Sequence, residues 1–203
     1  MRKWNKLLAL LLAMVMAFSL AATGLAAEGD AAAEAPAPAY EVPAEAEGTI
    51  VILHTNDVHG AIESYAQVAT LKAMYEEAGA YVLVMDAGDF SQGTTNVSVS
   101  EGATAIELMN MVGYDVAAPG NHEFDYGYPN FKEVAKDAKF PVVSANVLVD
   151  GKAENPHTVF TAPGGEKIGV FGLSTPETAT KAHPAKIKGV TFPAGKDMFA
   201  IAQ

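Results

Sequence analysis

Residues 49–60 read T-I-V-I-L-H-T-N-D-V-H-G. An apolar, β-branched run breaks at its C-terminal end into polar residues of mixed chemistry. The run 49–54 suits a buried strand, because strands covered on both faces are continuously apolar rather than alternating. A helix is predicted over about 65–78, with Val68, Leu71, Tyr75 and Ala78 on one face. Ser64-x-x-Gln67 reads as its capping box and Gly79 as its stop. Y-V-L-V-M (81–85) is a second buried strand. A second helix, about 101–112, carries Ile106, Leu108, Met109 and Met111 and ends at Gly113. D-V-A-A (115–118) is a third strand, Pro129 opens a third helix, and P-V-V-S-A (141–145) is a fourth strand. T-V-F-T-A (158–162), a P-G-G-E turn and K-I-G-V-F-G-L (167–173) read as an antiparallel hairpin. Alternating strand and helix of this kind predict an α/β domain with a mixed sheet.

In open α/β sheets, ligand chemistry gathers beyond the C-terminal ends of the strands. The polar clusters of this chain fall there. The first strand ends in H-T-N-D-V-H-G (54–60), the second in D-A-G-D-F (86–90), and the third in P-G-N-H-E-F-D (119–125). Asp57 and His59, two apart in an extended segment, point the same way and can grip one ion together. Gly88 allows a tight turn that aims Asp89, whose two carboxylate oxygens can bridge two cations. Asn121 offers a neutral carbonyl oxygen and His122 a titratable nitrogen. Asp125, three residues on, can accept a proton from His122 and fix its tautomer. Glu123 and Phe124 are expected to face away, with Phe124 in the core, and His54 to be a buried, hydrogen-bonded strand-end residue.

Each cluster alone reads as a turn or a cap. Together they supply Asp, His, Asp, Asn and His at three consecutive strand ends, which independent caps have no reason to do. Oxygen ligands mixed with imidazole suit Zn, Mn, Fe or Co. A bridging Asp89 implies two ions, and a two-ion site can bind phosphate, activate water and stabilise both oxygens of a displacement.

V-I-L-H-T-N-D-V-H-G, D-A-G-D-F-S-Q-G and G-N-H-E-F-D together resemble the 5′-nucleotidase/UDP-sugar hydrolase family of the calcineurin-like metallophosphoesterases. The likeness spans roughly 50–193 and takes in S-A-N-V and G-L-S-T-P-E-T. It implies a four-layer αββα sandwich with mixed sheets, incomplete here at the C-terminus. It also implies two divalent metal ions: Asp57 and His59 hold the first, Asp89 bridges, and Asn121 serves the second. His122 would be no ligand but would stabilise the phosphoryl transition state or protonate the leaving group, oriented by Asp125. The implied substrate is a nucleotide or other phosphate ester. The family's further His ligands, in a G-H-x-H or G-H-x-Q segment, have no match among His157 and His183, which read as loop residues. An apolar-periodic helix begins at 196–203 without a stop signal. The expectation is therefore the N-terminal part of a longer phosphoesterase, weak or inactive by itself and able at least to bind metal or phosphate.

Composition sets the surroundings. Arg2, Lys3 and Lys6, an apolar run from Leu7 to Leu20 and small residues to Ala27 have the order of a signal peptide (1–27). The run is shorter than the roughly 20 residues of a membrane span. Residues 28–48, rich in Ala, Pro and Glu, read as a disordered linker, and 49–203 as the domain. The expected location is secreted, extracellular or cell-envelope, with no stable membrane span after cleavage and a monomeric state. There is no Cys, so disulfides are excluded. Without the signal the chain carries ten basic and 24 acidic residues, a net −14, which argues against a nucleic-acid duplex as partner. An anionic substrate must then be drawn in by bound cations.

Overall fold

The computed structural model describes residues 40–203. The predicted signal peptide and most of the predicted linker lie outside the described residues. The chain divides into two units, Met1–Glu41 and Val42–Gln203, and the fold below is that of the second. Of the stretch read as linker, Ala44–Ala46 form a 3-10 turn with Ala46 buried. Gly48 N–H then donates to the Gly79 carbonyl, so the domain's ordered edge begins a few residues early.

The site is built on a parallel sheet of order β1-β2-β3, comprising β1 (Ile50–Thr55), β2 (Tyr81–Asp86) and β3 (Val116–Ala117). Register runs from Ile50 opposite Tyr81 to Thr55 opposite Asp86, so both strands end level. The crossovers are α1 (Glu63–Glu77), α2 (Thr95–Ser98) and α3 (Ala103–Val112). Three consecutive buried residues, Val82, Leu83 and Val84, mark β2 as the central strand. Tyr65, Phe90, Val97, Ile106 and Met109 pack with Val82 and Val84 in one core.

β1 departs from expectation. Its residues alternate, with Val51 and Leu53 packed on the core while Ile50, Ile52 and His54 are exposed. The expected burial of His54 is therefore incorrect: it shares the outer face of an edge strand that pairs, among the described residues, with β2 alone. The capping box also fails. α1 begins at Glu63, fed by the turn Ala61 N–H to Val58 O, so Ser64 lies inside the first turn and no side chain caps the end. Glu101 (φ 50°) and Gly102 (φ 96°) are left-handed, which separates α2 from α3 and moves the second helix's start to Ala103. Met111, expected inside, is exposed, while Ile106 and Met109 are buried. The fourth strand contracts to one parallel bridge between Ala117 and Val142; Pro141, with no N–H, offers the ladder only its carbonyl, accepting from Ala117.

Beyond the parallel sheet lies α4 (Tyr128–Lys136), with Pro129 in its first turn. The strands β4 (Leu148–Val149) and β5 (Lys152–Ala153) come next. The predicted hairpin follows as β6 (His157–Thr161) and β7 (Lys167–Phe171), antiparallel. α5 (Thr178–Lys181), β8 (Val190–Thr191) and α6 (Gly195–Ala202) close the sequence, and β5-β4-β8 form an antiparallel sheet. Parallel and antiparallel pairings thus occupy separate sheets. A second core gathers Phe124, Val147, Ala182, Ile187, Val190 and Phe192. Phe124, fully buried as expected, meets Phe192 edge-on at 5.0 Å. That contact anchors the polar turn on either side of it. Among the described residues no helix is long and apolar enough to cross a membrane.

Candidate metal centre

The three strand-end loops are laced together by backbone. Asp57 N–H donates to Gly88 O at 2.9 Å, and His59 N–H to Asp89 O at 3.0 Å. His122 N–H donates to the Asp89 carboxylate at 2.8 Å, joining the third loop to the second. Close approach requires glycine at two points. A Cβ at Gly88 would strike the Gly120 backbone, and one at Gly120 would strike the Asp89 side chain. Among the described residues, five non-glycine residues adopt positive φ, and Asp57 (49°), His59 (47°) and Asp89 (61°) are three of them. Left-handed backbone at a branched or polar residue costs about 1 kcal/mol or more and persists where the surroundings enforce it, commonly at functional sites.

The side chains converge. His59, Asp89 and His122 each present a ligand atom, all within 4.8 Å of one another. The two imidazoles stand 4.9 Å apart, nearly perpendicular. Asp57 flanks them, with its carboxylate 3.9 Å from His59 Nε2 and a bond from Asn56. Asn121 is buried between Gly120 and His122, both of which touch Asp89 through their backbone or its close approach. Asp125 stands behind His122, its carboxylate 2.6 Å from Nδ1. Burial draws the His122 pKa down, but the hydrogen bond and charge of Asp125, with Asp89 and Glu123, raise it above its ordinary value. His157 is exposed at the start of β6, and His183 accepts from the Ala185 N–H at a 3-10 turn; neither joins the cluster.

Two carboxylates that the sequence reading passed over organise the site. Glu123, expected to face away, is 2 % exposed and accepts four backbone N–H groups. Asp89 and Gly120 donate to Oε2, and Phe90 and Ser91 to Oε1, at 2.6–3.0 Å. The signal available was an acidic residue between His122 and an apolar Phe124, a position where an unsatisfied carboxylate could not remain. Asp86, at the end of β2, accepts from Thr55 Oγ1 at 2.6 Å and from Gly88 N–H at 2.7 Å. Thr55 also meets the Tyr114 hydroxyl at 2.9 Å, which makes a buried polar chain below the loops.

Burial pushes the Asp86 carboxyl up from 3.8 to about 7, and its hydrogen bonds only partly offset this. The folded state then holds a proton that the unfolded chain releases near pH 4. Its contribution to stability is present at low pH and fades as pH rises from about 4 to 7. In chelator, Asp86→Asn should flatten this slope and gain roughly 2 kcal/mol at pH 8 relative to wild type. Urea unfolding at pH 5 and pH 8 measures it; parallel slopes for the two proteins would refute it.

Residues 50–194 match the sequence family described as calcineurin-like phosphoesterase. A snake venom 5′-nucleotidase of Gloydius brevicauda is 35% identical over 158 residues, 66% of this chain and 27% of the relative. Protein UshA of Salmonella pullorum is 33% identical over 171 residues, 77% and 30% respectively. Among solved structures, a 5′-nucleotidase precursor of Thermus thermophilus superposes with a TM-score of 0.63 at 30% identity, covering 74% of this chain and 33% of that one. The fold is thus the calcineurin-like phosphoesterase fold, and the chain spans about a third or less of these relatives' length.

Proposed function

The chain belongs to the calcineurin-like phosphoesterase family, and from that premise we propose that it is the metal-binding part of a hydrolase for nucleotide phosphate esters, 5′-nucleotidase-like in substrate. The observation that carries this reading is the meeting of His59, Asp89 and His122 at three strand ends, with Asp57 alongside. The donor set fits divalent Zn, Mn, Fe or Co, being imidazole and carboxylate in one small space. In this proposal Asp57 and His59 would hold one ion, Asn121 would serve a second, and Asp89 would be shared between them. Such ions, when bound, supply the positive charge that attracts phosphate and the acidity that makes water a nucleophile.

The chain's own groups supply the rest. Asp125 accepts from His122 Nδ1–H, fixing the ring's orientation and leaving Nε2 free of that bond. A proton held at His122 Nε2 either steadies the negative phosphoryl oxygens or passes to the departing alkoxide. Glu123 keeps the Asp89 and Gly120 amides in place. The proposal extends to a signal peptide at 1–27, export to the exterior or envelope, and a monomer. The venom origin of one relative supports export.

Phosphate release from 5′-AMP with Mn(II) or Zn(II), measured on the protein as its gene encodes it, is the test. Release that stops in chelator and returns with metal is expected. Absence of release from AMP and from a generic aryl phosphate would remove the hydrolase reading. A second reading, a secreted binder of one metal ion or phosphate, is favoured by the single three-donor cluster among the described residues. Calorimetry separates the two: one ion without hydrolysis supports the binder, and two ions reject it.

A further inference from the structure

We infer that Ser174, held by Asn146, is a positioning residue for the third strand-end loop: it latches the Pro119–Gly120 peptide and so sets where Asn121 and His122 stand. The stretches S-A-N (144–146) and G-L-S-T (172–175) bring together three neutral polar side chains, Ser144, Asn146 and Ser174, all buried. Asn146 pairs with the backbone of residue 174 at two points. Its Nδ2 donates to the Ser174 carbonyl at 2.7 Å, and its Oδ1 accepts the Ser174 N–H at 2.8 Å. Only one orientation of the amide satisfies both bonds, so the side chain is locked. Ser174 Oγ then donates to the Pro119 carbonyl at 2.7 Å, 55 positions away in sequence. A carbonyl can only accept, so the Ser174 proton is committed there. The Ser144 hydroxyl proton faces both Asn146 Oδ1 and Ser174 Oγ, each 3.2 Å away, since neither has a proton to offer it.

The latched carbonyl belongs to the same peptide unit as the Gly120 N–H, which donates to Glu123 Oε2 at 2.6 Å. One planar unit is thus pinned at both ends, its oxygen by Ser174 and its hydrogen by Glu123. Pinning matters because the residue after this unit is glycine. A peptide flips by rotating the ψ before it and the φ after it, and glycine accepts φ of either sign. A flip would take the Gly120 N–H off Glu123 and lead the chain into Asn121 and His122 by another path. The bond from His122 N–H to the Asp89 carboxylate, 2.8 Å, depends on that path. No larger residue can stiffen the unit from within, since a Cβ at Gly120 would strike Asp89. Restraint has to come from outside.

The hairpin delivers it. Gly172, just past β7, accepts from Ala145 N–H at 2.8 Å and brings Ser174 to Pro119. Stability alone does not call for three buried hydroxyl and amide groups, because apolar side chains of like shape serve it about as well. Ser174 touches no reacting atom and acts through Pro119. The catalytic half of this inference rests on the proposed hydrolase function; the latch itself does not.

Amide hydrogen exchange of the whole chain in chelator reads the latch directly. In the wild type the Gly120 and His122 amides should exchange at least about a hundredfold more slowly than in an unfolded chain. Ser174→Ala should speed both at least about tenfold while the Leu83 and Val84 amides of β2 keep their rates. Ser174→Thr, which retains the hydroxyl, should restore them. With Mn(II) and 5′-AMP, Ser174→Ala should lower kcat roughly tenfold with KM within about twofold, since misplaced groups cost rate more than binding. Weaker protection in the wild type overturns the inference without any variant. So does acceleration that β2 shares, which marks a merely structural role, and so does failure of threonine to restore it. An unchanged kcat in an active protein overturns it too. Local acceleration rescued by threonine, in a protein that releases no phosphate, leaves the latch standing and sinks the hydrolase reading. Phosphate release without local acceleration does the reverse.

Discussion

Under the proposed function, Asp89→Asn should abolish phosphate release while leaving the fold almost untouched. Asp89 Oδ1 accepts the His122 amide, and an asparagine oxygen can keep that bond. What is lost is one negative charge at the point where all three loops meet. Bound cations would then be held more weakly, and transition-state charge less well balanced. Removing a single such electrostatic group costs roughly 10²–10³ in rate, and a carboxylate shared by two ions, as proposed for Asp89, should lie at or above the upper end. Asp89→Ala should lose as much activity and some stability too, since His122 N–H loses its acceptor and alanine tolerates φ 61° poorly. Phosphate release and melting temperature measured together separate the two variants. Activity within tenfold of wild type in Asp89→Asn would remove this residue from the proposed site.

The largest stability effect should come from Glu123. Its two oxygens each take two backbone N–H groups, from Asp89 and Gly120 on one side and Phe90 and Ser91 on the other. Glu123→Ala leaves four amides without an acceptor in a place where water has little access. At about 1–3 kcal/mol for each unsatisfied buried donor, a loss of at least about 4 kcal/mol is expected, a large share of a domain's total. The near-isosteric Glu123→Gln should be no rescue. Its single oxygen satisfies one pair, and its NH₂ points two hydrogens at amides that also donate. Chemical unfolding of the two variants tests this, and a glutamine variant within 1 kcal/mol of wild type would contradict the geometry.

The sequence carried the strands and the site unequally well. β2 was legible because three buried apolar residues in a row leave few alternatives, and the hairpin of β6 and β7 because P-G-G-E specifies a turn. β1 misled: its composition suits a strand covered on both faces, yet Ile50, Ile52 and His54 open outward. Composition reports what a strand could bury, not what packs on it. The helix breaks were missed because Glu101 adopts a conformation usually reserved for glycine, which its identity does not advertise. At the site, the residue types pointed to metal chemistry because several ligands at strand ends have no cheaper explanation. Glu123 was misread because its partners are main-chain amides, and no pattern of side chains reveals where those will point. Asp86 was overlooked for a related reason: its neighbour Thr55 is 31 positions away and met only through β1–β2 register.

The left-handed backbone at Asp57, His59 and Asp89 has an evolutionary corollary. Glycine would relax the backbone at all three positions, each by about 1 kcal/mol, but at Asp89 it would also strip His122 N–H of its acceptor, which offsets the gain. A laboratory screen for heat resistance alone would therefore drift toward glycine at Asp57 and His59 and return sturdier, chemically blank descendants. Any lineage that retains acid and imidazole there is under a pressure that thermal robustness cannot explain.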